Sequence, residues 1–268
     1  MTVLQGFILG IIQGLTEFLP ISSSGHLVLF QKIFRLSQGT FAFDIAVHFA
    51  TLIGVSIVLK NDIIAMLKKP LGKLSLLIAA GTIPTFVIAA LFKGMFEKLF
   101  VSGRTLGLEF IFTGLVLWYA EGVKSKNKGL EKTTYTDAAI VGVAQGIAIL
   151  PAVSRSGLTL AGALFRGLNR EFALKLSFLM SIPAILAATA LDVYHMMKSS
   201  NGFVSDIGTL PLIVGMFAAA VFGYMTVKFM LKIFSKASLK VFSYYVFALG
   251  ILILVDQFFF KHFFKSLF

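Results

Sequence analysis

Residues 13–26 read Q-G-L-T-E-F-L-P-I-S-S-S-G-H, and they close a run, Val3 to Thr16, that is apolar enough to enter a membrane. Proline disfavours the helical conformation in the residue before it, so helices commonly end there, and serine is a favoured starter of the next one. The stretch therefore reads as a break between two short helices, with a carboxylate, three hydroxyls and an imidazole in the break. A second stretch, 148–159, reads A-I-L-P-A-V-S-R-S-G-L-T and follows another apolar run of similar length. Both are expected to be polar turns buried at membrane depth.

Composition sets the solvent. Of 268 residues, 57% are hydrophobic and 13% charged, and the mean hydropathy is +0.92, outside the range of soluble domains. Long stretches are apolar all round rather than amphipathic. The expectation is an all-α integral membrane protein. The net charge of +12 does not point to nucleic acid, because the basic residues lie mostly in short loops and form no clustered face. With no cysteine, disulfides and thiolate chemistry are excluded. The first residues lack a basic n-region and an A-x-A-like site, so Thr2 to Leu19 reads as part of the mature protein.

About 20 apolar residues cross a bilayer, and six segments approach that length: Phe41–Leu59, Leu74–Phe96, Thr105–Gly122, Phe172–Leu191, Leu210–Phe234 and Val241–Phe260. Four shorter ones, Val3–Leu19 and Ser24–Phe34, then Tyr135–Leu150 and Ser156–Leu168, flank the two turns as re-entrant hairpins. The order short, short, long, long, long occurs twice. One membrane domain, 1–268, is thus expected to hold repeat one (1–122) and repeat two (133–268), joined by the polar linker Val123–Lys132. Gln13-Gly14 and Ser24-Gly25 recur as Gln145-Gly146 and Ser156-Gly157, with a spacing of 12 from each Gln to the second Gly. Three crossings per half is an odd number, so the repeats are inverted and their turns meet near the midplane.

Loop charge sets orientation. The side with Lys60, Lys68, Lys69, Lys73, Lys124, Lys126, Lys128, Lys132, Arg166, Arg170, Lys228, Lys232, Lys236 and Lys240 is more basic than the side with Lys32, Arg35, Lys93, Lys98, Arg104, Lys198, Lys261 and Lys265. Both termini are expected outside the cytoplasm, with the first turn dipping in from the outer face.

The expected midplane cluster is Gln13, Glu17, Ser22, Ser23, Ser24 and His26 from one half, with Ser154, Arg155, Ser156 and Thr159 from the other. Burying Glu or Arg in hydrocarbon costs about 2.5 kcal/mol or more on insertion scales, so each needs a partner. Gln13 and Glu17, four apart, share a helix face. Helix starts near Ser24 and Ser156 offer N–H groups and positive dipole ends, and Arg155 offers a bidentate fork; together they suit a phosphate or diphosphate. Glu17 is then expected either to hold a hard divalent cation, Mg²⁺ or Ca²⁺, with Gln13, or to act as a base. Ser23, His26 or a water could be the in-line nucleophile. His48 and Asp44, four apart, read as an ordinary hydrogen-bonded pair, and Glu109 as similarly structural. The 29 Phe read as lipid-facing bulk, and Gly142 and Gly146 as close-packing positions.

Residues 13–26 resemble the (E/Q)-x-x-x-E motif and following S-S-x-G-H of the undecaprenyl-diphosphatase (bacitracin-resistance) family, and P-A-V-S-R-S-G-L-T at 151–159 resembles its P-G-x-S-R-S-x-x-T motif. The resemblance covers essentially the whole chain, including S-F-L-M-S-I-P at 177–183. It implies a plasma-membrane phosphatase that hydrolyses undecaprenyl diphosphate to the monophosphate and inorganic phosphate, recycling the lipid carrier of cell-wall synthesis, with the site open to the outer face. It also implies catalytic roles for Glu17, Ser23, His26 and Arg155, diphosphate binding by Ser154, Arg155 and Thr159, and metal binding by Glu17 and Gln13. Ala152 departs from the motif glycine, which matters if that position needs positive φ. Lipid phosphatases with P-S-G-H and S-R-x₅-H-x₃-D motifs look superficially similar, but Leu160 to Arg170 supplies neither their His nor their Asp. The rival expectation is a transporter or lipid flippase, since inverted repeats with broken helices also build those. Expected partners are the bilayer and a long-chain prenyl diphosphate, with a homodimer left open.

Overall fold

A computed structural model describes residues 1–36, 40–102, 104–124, 127–198, 207–261 and 263–264, leaving aside the side chains of 93, 97, 98 and 100–102. Of the loop cations used for orientation, Lys126 and Lys265 lie outside the described residues, as do the side chains of Lys93 and Lys98. The helices are α1 (Val3–Thr16), α2 (Ser23–Ile33), α3 (Thr40–Val58), α4 (Lys60–Lys68), α5 (Lys73–Ser102), α6 (Leu106–Glu121), α7 (Tyr135–Ile147), α8 (Arg155–Phe165), α9 (Arg170–Lys198), α10 (Thr209–Ile233) and α11 (Leu239–Val255), the last running into a π-helical turn, Asp256–Phe260. Both expected breaks are present. The chain leaves α1 at Glu17 and re-enters a helix at Ser23; it leaves α7 at Ala148 and re-enters at Arg155.

The protein is a multi-pass membrane protein. Five segments of the described chain are long and apolar enough to cross a bilayer: Thr40–Val58, Lys73–Phe92, Arg170–Lys198, Thr209–Ile233 and Leu239–Phe260. The sixth expected span, Thr105–Gly122, forms only the 16-residue α6. At 1.5 Å per residue that is about 24 Å, short of a hydrocarbon core of about 30 Å. Polar ends shorten it, with Thr105 and Glu109 at one end and Glu121 at the other. The basic segment after α3 is itself helical, as α4, where a loop was expected.

The two short leading helices start alike. Thr2 and Thr134 cap α1 and α7 through reciprocal boxes, with Gln5 and Asp137 as the third-position partners. They also pack alike, α1 against α10 and α7 against α5. Both contacts depend on glycine: a Cβ on Gly10 would lie 2.2 Å from the Gly215 carbonyl oxygen, and one on Gly142 would lie 1.8 Å from that of Gly81. Gly6, Gly10 and Gly14 meet Pro211, Gly215 and Ala219 in rising order, so α1 and α10 run the same way.

The largest apolar cluster gathers residues from the ends of α3, α6 and α10 and the starts of α5, α7, α9 and α11. At the same end Asp137 is fully buried and accepts from Lys128 (3.0 Å), Arg166 (2.8 Å) and the Thr134 N–H (3.0 Å). Burial pushes its carboxyl up, but these donors outweigh burial and hold it below the usual range. A smaller cluster, with Leu9, Phe43, Val47 and Leu212, holds the starts of α3 and α10 beside α1. Phenylalanine is divided between core and periphery: Phe18, Phe43, Phe110, Phe178 and Phe234 are fully buried, while Phe41, Phe217 and Phe259 are exposed. The expectation that they simply face lipid fails for the first group, because a span apolar on every side carries no periodic mark of its inner face.

Candidate active site

Glu17 is the centre of the site. It follows the last turn of α1, its N–H still bonded to the Gln13 carbonyl at 3.0 Å, and is buried with its neighbours Phe18 and Pro20. Phe18 packs edge-on against Phe178 of α9 at 5.3 Å between ring centres, which fixes the turn by an apolar anchor. Four groups converge on the Glu17 carboxylate. Arg155 pairs with Oε1; Ser23 Oγ and Gln13 Nε2 (2.9 Å) donate to Oε2, and His48 Nε2 lies 3.5 Å from Oε2. Glu17 and Arg155, 138 positions apart in sequence, close into one ion pair. Its side chains are only 5% and 17% exposed, which makes it a desolvated pair rather than a surface bridge.

The turns exchange hydrogen bonds across their junction. Ser24 Oγ donates to the Pro151 carbonyl, and Ser156 Oγ donates to the Leu19 carbonyl at 2.8 Å. Donors Ser24 and Ser156 lie 132 residues apart, and so do acceptors Leu19 and Pro151. Ser22 and Ser154 cap α2 and α8, accepting from the Gly25 N–H (3.4 Å) and the Gly157 N–H (3.0 Å). Ser22 also approaches the Pro151 carbonyl, at 3.4 Å. The first-turn N–H groups that capping leaves over, on α2 and α8, are anion donors of the kind helix starts supply.

Two expected site residues point elsewhere. His26 Nδ1 lies 2.6 Å from the Ser22 carbonyl and so donates its proton there, leaving Nε2 to accept from the Tyr245 hydroxyl at 2.8 Å. The ring is stacked on Tyr245 and meets Phe110 edge-on, with both nitrogens engaged. Thr159 Oγ1 is 2.8 Å from the Arg155 carbonyl and 2.6 Å from Ser177 Oγ. It steadies the backbone of Arg155 from behind.

Three groups that sequence reading left aside are joined to the turns. His48 reaches Glu17 from α3. Glu109 accepts the Ala152 N–H at 2.8 Å and the Thr105 hydroxyl at 2.7 Å, and Thr113 accepts the Ser154 N–H at 3.1 Å. These α6 groups latch the second turn. Ala152 is absent from the described residues with positive φ, so the motif glycine is not needed there; within the two turns the non-glycine residue with positive φ is Ser22, at 69°. An ionisable residue within a span is a functional candidate by default, and that signal could have found His48 and Glu109.

The metal expectation meets a sparse donor set. Among the described residues no three His, Cys, Asp or Glu side chains gather as a metal cluster. Gln13 Oε1 is, however, a buried acceptor without a partner, beside a carboxylate. These two oxygens fit a divalent cation if phosphate oxygens and water complete its shell.

The chain matches the family described as bacitracin resistance protein BacA over residues 6–252. It is similar to an undecaprenyl-diphosphatase of Carboxydothermus hydrogenoformans, 59% identical over 96% of this chain and 98% of the relative. An undecaprenyl-diphosphatase 3 of Bacillus cereus is 47% identical over the same shares, and an undecaprenyl-diphosphatase of Halothermothrix orenii is 41% identical over 95% and 98%. On this length and identity, joined to the paired turns, the chain belongs to the bacitracin-resistance BacA family.

Proposed function

We propose that this protein is an undecaprenyl-diphosphatase of the plasma membrane, which cleaves the lipid diphosphate to monophosphate and inorganic phosphate and so returns the carrier to cell-wall synthesis. The observation that carries the reading is the meeting of Arg155, Ser23 and Gln13 on the single buried carboxylate of Glu17. A carboxylate with a hydroxyl proton already on it is a base in place, and a guanidinium beside it is a phosphate ligand in place.

In this reading the terminal phosphate binds at the starts of α2 and α8 and draws Arg155 from Glu17. Ser23 Oγ attacks the terminal phosphorus, the bond to the bridging oxygen breaks, and the prenyl monophosphate leaves. The Ser23 proton passes to Glu17 and from it to the leaving monophosphate oxygen, which restores the carboxylate. Water then gives a proton to Glu17 and attacks the phosphoserine; as inorganic phosphate leaves, that proton returns to Ser23 Oγ. Ser22, Ser24, Ser154 and Ser156 hold the turns in register through their own bonds. Thr159 and His26 act as positioning residues, since both rings of contacts around them point into the scaffold. Glu17 and Gln13 would hold a divalent cation, Mg²⁺ or Ca²⁺, which when bound neutralises diphosphate charge.

The fold that serves this chemistry is read as two inverted halves of three crossings each, with α6 completing the first through the headgroup region, and the site open to the outer face. The shared capping boxes, the α1–α10 and α7–α5 contacts and the 132-residue offset of the exchanged serine bonds support that reading. The test is phosphate release from a long-chain prenyl diphosphate by purified protein, with Glu17→Gln and Arg155→Ala beside it. Release by wild type and its loss in both variants is expected. Equal release from all three would overturn the site; no release, with lipid crossing between leaflets, would favour a flippase.

A further inference from the structure

We infer that α4 and the turn after it bind acidic phospholipid headgroups, with the helix lying along the bilayer surface at the basic end of the molecule, whatever reaction the paired turns perform. α4 is held between two spans. α3 ends at Val58 and α5 starts at Lys73, and both are long and apolar enough to cross the bilayer, so the chain between them turns back on one side of it. Ile63 and Met66 pack against the large apolar cluster at that end. Asp62 pairs with Lys175 of α9 at 3.0 Å, and Ser75 Oγ donates to the Lys69 carbonyl at 3.1 Å. These contacts fix which face of α4 is turned inward.

The opposite face meets no core. Ile63, Ile64, Met66 and Leu67 have the i, i+1, i+3, i+4 spacing of one apolar stripe, yet only part of that stripe is covered. Leu67 is 76% exposed, Leu71 in the following turn 82% and Ile64 46%, although Ile63 and Met66 beside them are shielded by the core. Charge is divided in the same way. Asp62, the one carboxylate of α4, is spent inward on Lys175. Lys60, Lys68 and Lys69 are exposed and, among the described residues, pair with no carboxylate.

Uncovered leucine next to uncovered ammonium suits a surface that is apolar below and anionic above. At an acidic bilayer Ile64, Leu67 and Leu71 enter the acyl boundary, while the lysines on their long stems reach phosphate oxygens. A protein partner would have to match both properties with its own side chains. The bilayer has both, and the flanking spans already bring α4 to it. Each lysine near an acidic membrane adds about fivefold in affinity, so three of them set a preference over zwitterionic lipid.

The test is fluorescence quenching by brominated phospholipids, with the full-length protein in vesicles. Trp118, the one tryptophan of the chain, is removed by Trp118→Phe, and Leu67→Trp places a reporter on α4. Brominated phosphatidylglycerol should quench it and outcompete phosphatidylcholine about fivefold or more at low salt, with the preference shrinking as salt rises. With Lys60→Gln, Lys68→Gln and Lys69→Gln combined, the ratio of the two affinities should fall to within about twofold of one. Phe217→Trp, on a residue 69% exposed within the α10 span, is the control and should show no preference. Quenching of the α4 reporter by neither lipid would overturn the inference and leave this face to a protein. Equal quenching by both lipids would overturn it too, as would a preference that survives the triple change. Should the triple variant not fold, Lys68→Gln and Lys69→Gln decide singly: a ratio unchanged in both defeats the assignment.

Discussion

The first turn and the second turn share a frame and divide the chemistry. Each begins below a glutamine, Gln13 or Gln145, caps its second helix with a serine, Ser22 or Ser154, and sends a serine hydroxyl to the other's backbone, Ser24 to Pro151 and Ser156 to Leu19. Three positions 132 residues apart break the likeness: Glu17 faces Ile149, Ser23 faces Arg155, and His26 faces Leu158. In the proposed reaction the base and the nucleophile lie in one turn and the permanent cation in the other. The difference teaches that the two similar turns complement each other, because neither alone has both a carboxylate and a guanidinium.

Even the shared glutamines diverge. Gln13 donates to Glu17, whereas Gln145 donates to Thr85 at 3.1 Å; each leaves its own Oε1 buried and unpartnered. The supports differ too. The first turn leans on Phe18 against α9 and on His26 beneath Tyr245, the second on Glu109 and Thr113 of α6.

If the two turns form one site, damage to the chemical group of either should cost alike. Glu17→Gln and Arg155→Ala should each lower phosphate release by at least about 100-fold, the scale of losing one charge-stabilising group, and the double variant should be little worse than the poorer single one. Fully additive losses would mean that the groups act apart. Next in size is the cation. Chelation should lower release at least about tenfold, and Mg²⁺ should restore it, with Gln13→Ala shifting the Mg²⁺ requirement upward and Gln145→Ala leaving it alone. Equal shifts in the two would remove the functional distinction between the glutamines.

The support of the second turn can be weighed by melting temperature. Glu109→Ala strands the buried Ala152 N–H, at a cost of about 1–3 kcal/mol, and should loosen the second turn without touching the first. A drop in melting temperature with weakened diphosphate binding is expected; a kcat loss with intact stability would instead make Glu109 part of the chemistry. The smallest effect belongs to Ala152→Gly. Its φ is ordinary, so restoring the family's glycine should destabilise by about 0.4–1 kcal/mol through chain entropy and leave release unchanged. Faster release would show that the second turn is strained by its alanine.

Much of this was written in the order of residues. Proline alone does not end a helix here, since Pro84 and Pro183 lie inside α5 and α9, but Pro20 and Pro151 followed by the capping serines Ser22 and Ser154 do mark the breaks, and both lie within a few residues of their expected places. The identities of Glu17, Ser23 and Arg155 and the spacing of the repeated Gln and Gly marks point to the proposed chemistry before any fold is known. Local propensity could not say that α6 is only 16 residues long, since Glu109 reads as one polar residue in an apolar run until its partner in the second turn is seen. Nor could it say which Phe faces inward.

Sequence by itself determined the solvent, the two broken helices and the kinds of group set in them, because those depend on residues a few positions apart. The turns were expected to bring Glu17 and Arg155 into one cluster; tertiary structure alone decided that the two pair directly, that His48 joins them from α3, and that His26 and Thr159 turn away into the scaffold. The physical reason is that helical periodicity encodes only neighbours on one helix, while the pairing of buried charges is settled by which helices can approach, here where Gly10 and Gly142 let backbones touch.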